Sequence, residues 1–582
     1  MLGLGKAKKI EELEVHWPSG HVQKFQNLQS GQSYQITEPA GTPPPLKPTR
    51  EIAPALYAKD PDFPKIGHRE QAFDDFKNQP LLPNRMSHLG PGMAVGDIDG
   101  DGDEDLYLGG AKGSPGTLLL RDAATWARDT RNLQTFANAS DSEEMGALFF
   151  DVEGDGDLDL YVVSGGVESA PDSEELGDRL YLNDGTGVFI PTDKEALPNL
   201  PESGSCVVAA DFDHDGDLDL FIGGRVIPAQ YPLAPPSRLL RNDSKGQDIT
   251  FTDVTSDLAP ALLNTGMVTA ALWSDADHDG DPDLLVTHEW GPVKLFKNTG
   301  GKLEESPNGS GIADLLGWWN GIDGCDIDHD GDIDYAVSNF GSNTKYHPGK
   351  LKPTVLYFGD FSGDGTMRIV EAKNTADGLQ PVRGFSCSSQ AIPGISQKMG
   401  GTQPFHNFAI KALDEIYPRD RLEKALRLEV NELRSGILLN DGAGNFTFSP
   451  LPALAQVSPS FGLRFCDANA DGFTDLYLVQ NFFSPQPETG RMHSGLSLLL
   501  TGKGDGKFVP VWPEESGLIV SGDAKGLVSL EGGEFLVSQN NDTVAAFRPT
   551  KREAKPCVLR LIAKGRNAEA IGARVRCSVD GK

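Results

Sequence analysis

The chain is short of positive charge, short of cysteine and without any long apolar run. Its 582 residues hold 52 lysines and arginines against 84 acidic residues, a net charge of -32. That balance argues against nucleic acid as a partner and against anionic lipid, because both demand a positive face. No apolar run reaches the ~18 residues of a membrane-crossing helix, so no membrane insertion is expected of this segment. The start, MLGLGKAKKIEELEV, lacks the roughly 7 to 15 apolar residues of a signal peptide. Six cysteines (Cys206, Cys325, Cys387, Cys466, Cys557, Cys577) form no CxxC pair and are too few to staple a chain of this length. The first four read as small buried hydrophobes; Cys557 and Cys577 flank a candidate strand pair, which leaves a disulfide open. HExxH, GxSxG and the P-loop are also missing, and with them the commonest hydrolytic and nucleotide sites.

What the chain has in excess is aspartate, and it is not spread evenly. A nine-residue loop, Asp-x-Asp-x-Asp-Gly-x-x-Asp in its commonest form, begins at Asp97 (DIDGDGDED), Asp151 (DVEGDGDLD), Asp211 (DFDHDGDLD), Asp275 (DADHDGDPD) and Asp326 (DIDHDGDID), with weaker copies at Asp360 (DFSGDGTMR) and Asp467 (DANADGFTD). Successive copies lie 54, 60, 64, 51, 34 and 107 residues apart. Most of these intervals suit a four-stranded sheet unit with its loops. Between the loops recurs an apolar run, a turn and a lone aromatic: LYLNDGTGVF from Leu180, ILLNDGAGNF from Ile437, LLLTGKGDGKF from Leu498. Asn-Asp-Gly between such runs is a hairpin turn, since these residues accept positive backbone angles.

Alternate aspartates in a tight turn deliver the six to eight hard oxygens that calcium takes. In the first loop Asp97, Asp99 and Asp101 supply side-chain oxygens, Asp103 a backbone carbonyl and Asp105 the closing carboxylate, with Gly102 permitting the sharp reversal. The same roles fall on Asp151, Glu153, Asp155, Asp157 and Asp159; on Asp211, Asp213, Asp215, Asp217 and Asp219; on Asp275, Asp277, Asp279, Asp281 and Asp283; and on Asp326, Asp328, Asp330, Asp332 and Asp334. The loop at Asp467 keeps Asn469, Asp471, Phe473 (by its carbonyl) and Asp475. The loop at Asp360 keeps Ser362 and Asp364 but puts Arg368 where the closing Asp belongs, and its binding is left open.

Two other readings compete. An EF-hand needs Glu at position 12 and flanking helices, but position 12 is Leu108, Val162 or Ile222, and the residues after each loop alternate as a strand does. An empty acidic turn is plausible for one copy; for five it is not, because five unpaired carboxylates in one loop repel. His214, His278 and His329, each at position 4, read as turn residues in the left-handed region rather than as transition-metal ligands.

The expected fold is therefore all-β, a β-propeller of seven (alternatively eight) four-stranded blades with calcium loops, small β segments at both termini and one helical insertion. Eight enters because SGDAKGLVSLEGGEFLVSQNN from Ser521 reads as a repeat that has lost its acids. Residues 41–84 are a linker and lead-in, Pro-rich to about Lys65. Residues 85–550 are the propeller. Within it 407–434 is the helical insertion, with Leu422, Leu426, Val430 and Leu433 at helical spacing and Asp420 with Glu423 as a capping box.

These residues resemble a known family. GPGMAVGDIDGDGDEDLYLGG and FGLRFCDANADGFTDLYL are similar to the FG-GAP repeats of integrin α-subunit propellers, also called VCBS-type repeats, over roughly residues 85 to 545. The ends resemble a split ASPIC/UnbV domain: residues 1–40, with Trp17-Pro18-Ser19-Gly20, its closing half, and residues 551–582, around Asn567, Ala570, Ile571, Gly572 and Ala573, its opening half. The order implies a piece of a longer tandem-repeat protein. The resemblance implies an extracellular or cell-surface, non-enzymatic adhesion module that binds a glycan or protein ligand with Ca2+ as its cofactor. The alternatives are a calcium-dependent polysaccharide lyase or hydrolase, which a central cluster of Arg, His or Trp clear of the calcium loops would favour, and a structural spacer in a surface array. Trp318, Trp319, Asn320, Asn339, Asn343, Lys345 and Tyr346 are candidates for sugar stacking, with core packing the plainer expectation.

Overall fold

Each acidic loop joins two antiparallel strands, and each NDG-type turn joins the next two. The computed structural model describes residues 6–41, 54–306, 311–376 and 378–551, together with Leu561, Asn567 and Val575. The described chain is all-β in character and divides into two compact units, Met1–Ala55 and Leu56–Lys582. In the first, Lys9–His16 pairs with Val22–Gln29 as a hairpin, and Trp17-Pro18-Ser19-Gly20 is its turn: Gly20 N–H donates to the Trp17 carbonyl at 2.9 Å, with Gly20 at φ +97°. The expected opening half of the split domain at residues 551–582, the disulfide included, falls almost wholly outside the described residues.

Among its described residues the second unit carries seven sheets built alike. Sheet 1 orders Met93–Gly96, Asp105–Leu108, Thr117–Asp122 and Thr125–Arg128 as antiparallel neighbours. Sheets 2, 3, 4 and 6 repeat this order from Glu143–Phe150, Gly204–Ala210, Met267–Ser274 and Ser460–Cys466, sheet 4 with one extra short strand. Sheet 5 takes Gly321–Cys325 and Asp334–Ser338 from one stretch and Gly436–Asn440 and Phe446–Pro450 from another. Sheet 7 takes Ala524–Ser529, Phe535–Gln539 and Ala545–Pro549, and its fourth strand is Tyr57–Lys59, from far upstream.

Alternation along the second strands sorts side chains between two neighbours. Tyr107 packs with Leu160, Val162 and Phe189 of sheet 2, while Leu106 and Leu108 pack with Val528, Leu530 and Leu536 of sheet 7. Equivalent clusters join sheets 2 and 3, 3 and 4, 4 and 5, 5 and 6, and 6 and 7. Both faces of these strands are thus buried, which is why DLYL and DLDLYVV read as continuous apolar runs.

Three expectations are corrected. Residues 426–430 are not helical: Leu426–Val430 is a strand pairing with Thr354–Gly359, so the apparent helical spacing of Leu422, Leu426, Val430 and Leu433 spans a helix, a strand and the irregular stretch after it. The helices lie earlier, from Phe385 to Lys424, and the Asp420–Glu423 box is not formed; instead the Glu415 carboxylate accepts the Ala412 N–H at 2.9 Å. Second, the stretch to Lys65 is not all linker, since Tyr57 and Phe63 are buried; three residues at a sheet edge are too few to show periodicity. Third, the loop at Asp360 belongs to a separate sheet, Gly378–Pro381, Arg368–Thr375, Thr354–Gly359 and Leu426–Val430, inserted with the helices between the second and third strands of sheet 5. The insertion accounts for the uneven spacings of 34 and 107.

Where the first strands converge lies a cavity of about 450 Å³, lined among others by Arg225, Glu289, Trp318, Phe461, Phe482 and Lys525. Arg225 ion-pairs with Glu289, which accepts the Tyr231 hydroxyl at 2.7 Å. Lys525 pairs with Asp523 at 2.8 Å and stands 3.9 Å from the Phe461 ring centre and 4.6 Å from that of Phe482. Trp318, Trp319, Asn339 and Tyr346 are buried, the core outcome, although Trp318 borders the cavity.

The short upstream strand should matter to stability out of proportion to its length. Tyr57→Ala is expected to cost about 3–5 kcal/mol, the usual range for removing a buried aromatic ring. Urea denaturation measures it, and an unchanged midpoint would show that sheet 7 does not depend on this strand.

Candidate metal centre

The acidic loops are shaped by their own aspartates. The first-position carboxylate turns inward and accepts backbone N–H groups: Asp97 from Gly100 (2.9 Å) and Gly102 (3.1 Å), Asp151 from Gly154, Asp155 and Gly156, Asp211 from Gly216, Asp326 from Gly331. At position 5, Asp101, Asp155, Asp215, Asp279 and Asp330 accept the N–H two residues on, at 2.9 to 3.1 Å. Gly102 lies at φ +94° with open space where a Cβ would be, so glycine is needed there for its backbone angle and not for room.

The closing aspartate is a staple. Asp105 accepts the Ile98 N–H through one oxygen (3.1 Å) and the Arg121 N–H of the third strand through the other (2.8 Å). Asp159, Asp219, Asp283, Asp334 and Asp475 repeat both bonds, the second always at 2.8 to 3.0 Å. Burial, partly offset by these donors, pushes their carboxyls up: to about 7 in Asp105, Asp283 and Asp334, about 8 in Asp219, about 9 in Asp159 and about 6 in Asp475. A nearby cation favours the charged form and would oppose that rise.

After these bonds are made, oxygens remain over. Asp99 Oδ1, Glu153 Oε2, Asp211 Oδ1, Asp275 Oδ1, Asp277 Oδ1, Asp326 Oδ1 and Asp328 Oδ1 are buried and accept no hydrogen bond. All sit at position 1 or 3 of the five regular loops. Carboxylate oxygens of Asp97, Asp99 and Asp101 lie within 4.8 Å of one another, as do those of Asp151, Glu153 and Asp159, and of Asp211, Asp213 and Asp219. Buried acceptors without donors are costly, and like charges this close repel; an all-oxygen set of this kind can hold a hard cation. At position 7, a carboxylate oxygen of Asp103 lies within 4.8 Å of ones of Asp101 and Asp122. Asp103 accepts the Ala123 N–H at 2.5 Å and Asp281 the Gly300 N–H at 3.0 Å, in keeping with a carbonyl role for this position.

The two weaker loops separate. At Asp467 the frame is complete, with Asp467 accepting from Asp471 and Gly472 and Asp471 from Phe473, but Asn469 Nδ2 donates to Asp471 Oδ2 at 2.9 Å. At Asp360 the positive charge is built in: Arg368 donates twice to Asp364, at 2.9 and 2.7 Å, holding its carboxyl well below the usual range, and Arg421 lies 3.5 Å from Asp360.

The loops are also tied to one another. His214, His278 and His329 all lie at φ +62°, as turn residues should, and His214 Nε2 is 2.8 Å from Asp281 while His278 Nδ1 is 3.3 Å from Asp332, each in the next loop. A second link comes from residues that sequence reasoning took for plain turn formers. Asn183 Nδ2 donates to the Ile98 carbonyl of the preceding loop (2.7 Å), Asn242 to Val152 (3.0 Å), Asn298 to Phe212 (2.7 Å) and Asn440 to Ala276 (2.9 Å). The recurring Asn was the available signal.

Asn298→Ala orphans the Phe212 carbonyl and the Gly301 N–H in buried surroundings. At about 1–3 kcal/mol for an orphaned group, a clear drop in thermal midpoint is expected; a calorimetric scan matching the unaltered protein would show that the bridge is idle.

Comparison with known proteins agrees with the repeat pattern. The FG-GAP-like repeat family matches residues 151–222 and 275–337, which carry the loops at Asp151, Asp211, Asp275 and Asp326. The ASPIC and UnbV family matches residues 1–43. No curated protein matches the chain. Among solved structures, the V. cholerae biofilm matrix protein Bap1 is 10% identical at TM-score 0.34, covering 85% of this chain and 91% of its own. YCF48 from Cyanidioschyzon merolae is 10% identical at TM-score 0.37, covering 81% and 99%. The chain thus contains FG-GAP-like repeats and an ASPIC/UnbV segment at its N-terminal end.

Proposed function

We propose that the second unit is a closed seven-bladed β-propeller whose acidic loops bind calcium, and that it serves as a non-enzymatic module recognising a glycan or protein ligand outside the cell or on its surface. The observation that carries the calcium reading is that each of the five regular loops holds at least one buried, donorless carboxylate oxygen at position 1 or position 3. Closure and blade number are supported by the series of inter-sheet cores that returns from sheet 7 to sheet 1, and by the upstream strand Tyr57–Lys59 completing the last sheet. In this reading the acid-poor repeat at Ser521 is the seventh blade and the sheet holding Asp360 is an insertion. The FG-GAP-like match supports a ligand-binding module of the kind used in adhesion. Extracellular calcium modules bind with Kd of ~0.1 to 1 mM, which favours a calcium-rich setting.

The cavity at the centre is the natural ligand site. Arg225 Nη1 and Trp318 Nε1 are buried there without hydrogen-bond partners, in a lining that also holds Phe340, Phe461 and Phe482. The same cluster, clear of the acidic loops, favours a second reading as a polysaccharide lyase or hydrolase.

Calcium at 100 times Kd should add about 2.7 kcal/mol per site to folding. A melting scan is expected to show a higher midpoint in calcium than in EDTA, reduced by Asp277→Asn or Asp328→Asn and untouched by Asp364→Asn, whose loop has its own arginine. An identical midpoint with and without EDTA would rule the calcium reading out. Glycan-array binding abolished by Arg225→Met without turnover supports the module; polysaccharide cleavage abolished by the same change supports the enzyme.

A further inference from the structure

Remote from the acidic loops, at the opposite ends of the strands, His68, Glu70 and Glu143 converge. Glu143 is the first residue of the first strand of sheet 2, and the acidic loop follows that strand's far end. His68 and Glu70 follow the closing strand Tyr57–Lys59. The side chains of His68, Glu70 and Glu143 are 0%, 3% and 3% exposed, and one ligand atom from each lies within 4.8 Å of the others.

The hydrogen bonds fix the tautomer. His68 Nδ1 lies 3.2 Å from the Gly109 carbonyl, which can only accept, so Nδ1 carries a proton. Nε2 then faces two carboxylates, Glu70 Oε1 at 3.1 Å and Glu143 Oε1 at 3.6 Å. Glu70 is oriented by Asn540 Nδ2 at 2.5 Å and Glu143 by the Lys112 N–H at 2.7 Å. Glu143 Oε1 is buried and accepts no hydrogen bond. Glu168 adds a third carboxylate: a Cβ on Gly166 would stand 2.6 Å from Glu168 Oε2 and 3.1 Å from Glu143 Cβ, so Gly166, at φ +78°, lets the two chains close up. Among the described residues no lysine or arginine ion-pairs with Glu70, Glu143 or Glu168; Lys112 Nζ is turned to Ser169 Oγ.

One proton on Nε2 would serve Glu70 and still leave Glu143 Oε1 without a partner. A divalent ion serves both. An imidazole nitrogen whose other N–H is held by a backbone carbonyl, set among oriented carboxylates, is how proteins present borderline transition metals. Glu70 also borders an open cleft of about 550 Å³ with Arg85, His88 and Asn541. We propose that His68, Glu70 and Glu143 form a site for a divalent transition-metal ion of the zinc class, distinct from the acidic loops and joining sheets 7, 1 and 2.

The test is calorimetric titration of ZnCl2 into the full chain held in excess CaCl2, with the visible spectrum of CoCl2-loaded protein as a second readout. One zinc site is expected that Glu143→Gln and His68→Gln each weaken by at least about 10-fold, while Asp99→Asn leaves it unchanged. Cobalt should give a ligand-field band characteristic of nitrogen and oxygen ligation, lost in His68→Gln. Because either variant could destabilise this buried cluster, the cobalt spectrum of the unaltered chain stands by itself: a spectrum like hexaaqua cobalt overturns the proposal. Zinc binding equally strong in both folded variants does so too. The calcium reading is untouched by either failure, since it is judged on the EDTA scan.

Discussion

The closing aspartate of each loop is the bond on which the rest hangs. One carboxylate holds the start of the loop and the middle of the sheet at once, so three strands and a nine-residue turn are fixed by four atoms. Only then do the oxygens at positions 1 and 3 face inward, and only then does the second-position carbonyl lie where the next sheet's asparagine can reach it. Local order and the fit between neighbouring sheets share one origin. The crowding of carboxylates in the loops is of the same making, and in the loop at Asp360 an arginine answers it.

Much of this was legible in the sequence. The loops, their strand flanks, the NDG-type hairpins and the rejection of the EF-hand all rest on local chemistry, and local chemistry survives folding. Gly102 and the three position-4 histidines adopt the positive angles their places suggest. What misled was anything decided at a distance. Leu422, Leu426, Val430 and Leu433 have helical spacing, yet Leu426–Val430 is taken up by pairing with Thr354–Gly359, more than sixty residues away. Tyr57–Lys59 has no pattern of its own and becomes a strand because sheet 7 has an open edge. The His68 cluster was invisible for the same reason: its members come from separate stretches of the chain, and none sits in a motif.

The insertion within sheet 5 changes what the centre of the molecule can be. Its strands and helices share one hydrophobic cluster with Met86, Trp318, Phe340 and Phe482, all of which border the central cavity. The insertion is therefore part of the cavity's surroundings and not an ornament at the periphery. A repeat scaffold supplies the walls, and non-repeating stretches, the residues from Asn84 to Pro91 and the insertion behind Trp318 and Phe340, make the surroundings asymmetric.

Tyr57–Lys59 is joined to sheet 7 by only three residue pairs. Mechanically it is a latch. A pull transmitted through Leu56 loads this edge and, through the Leu56 N–H on the Glu515 carbonyl and the packing of Tyr57 with Tyr477, the neighbouring sheet 6. In a chain strung with further units, tension would reach sheets 7 and 6 together.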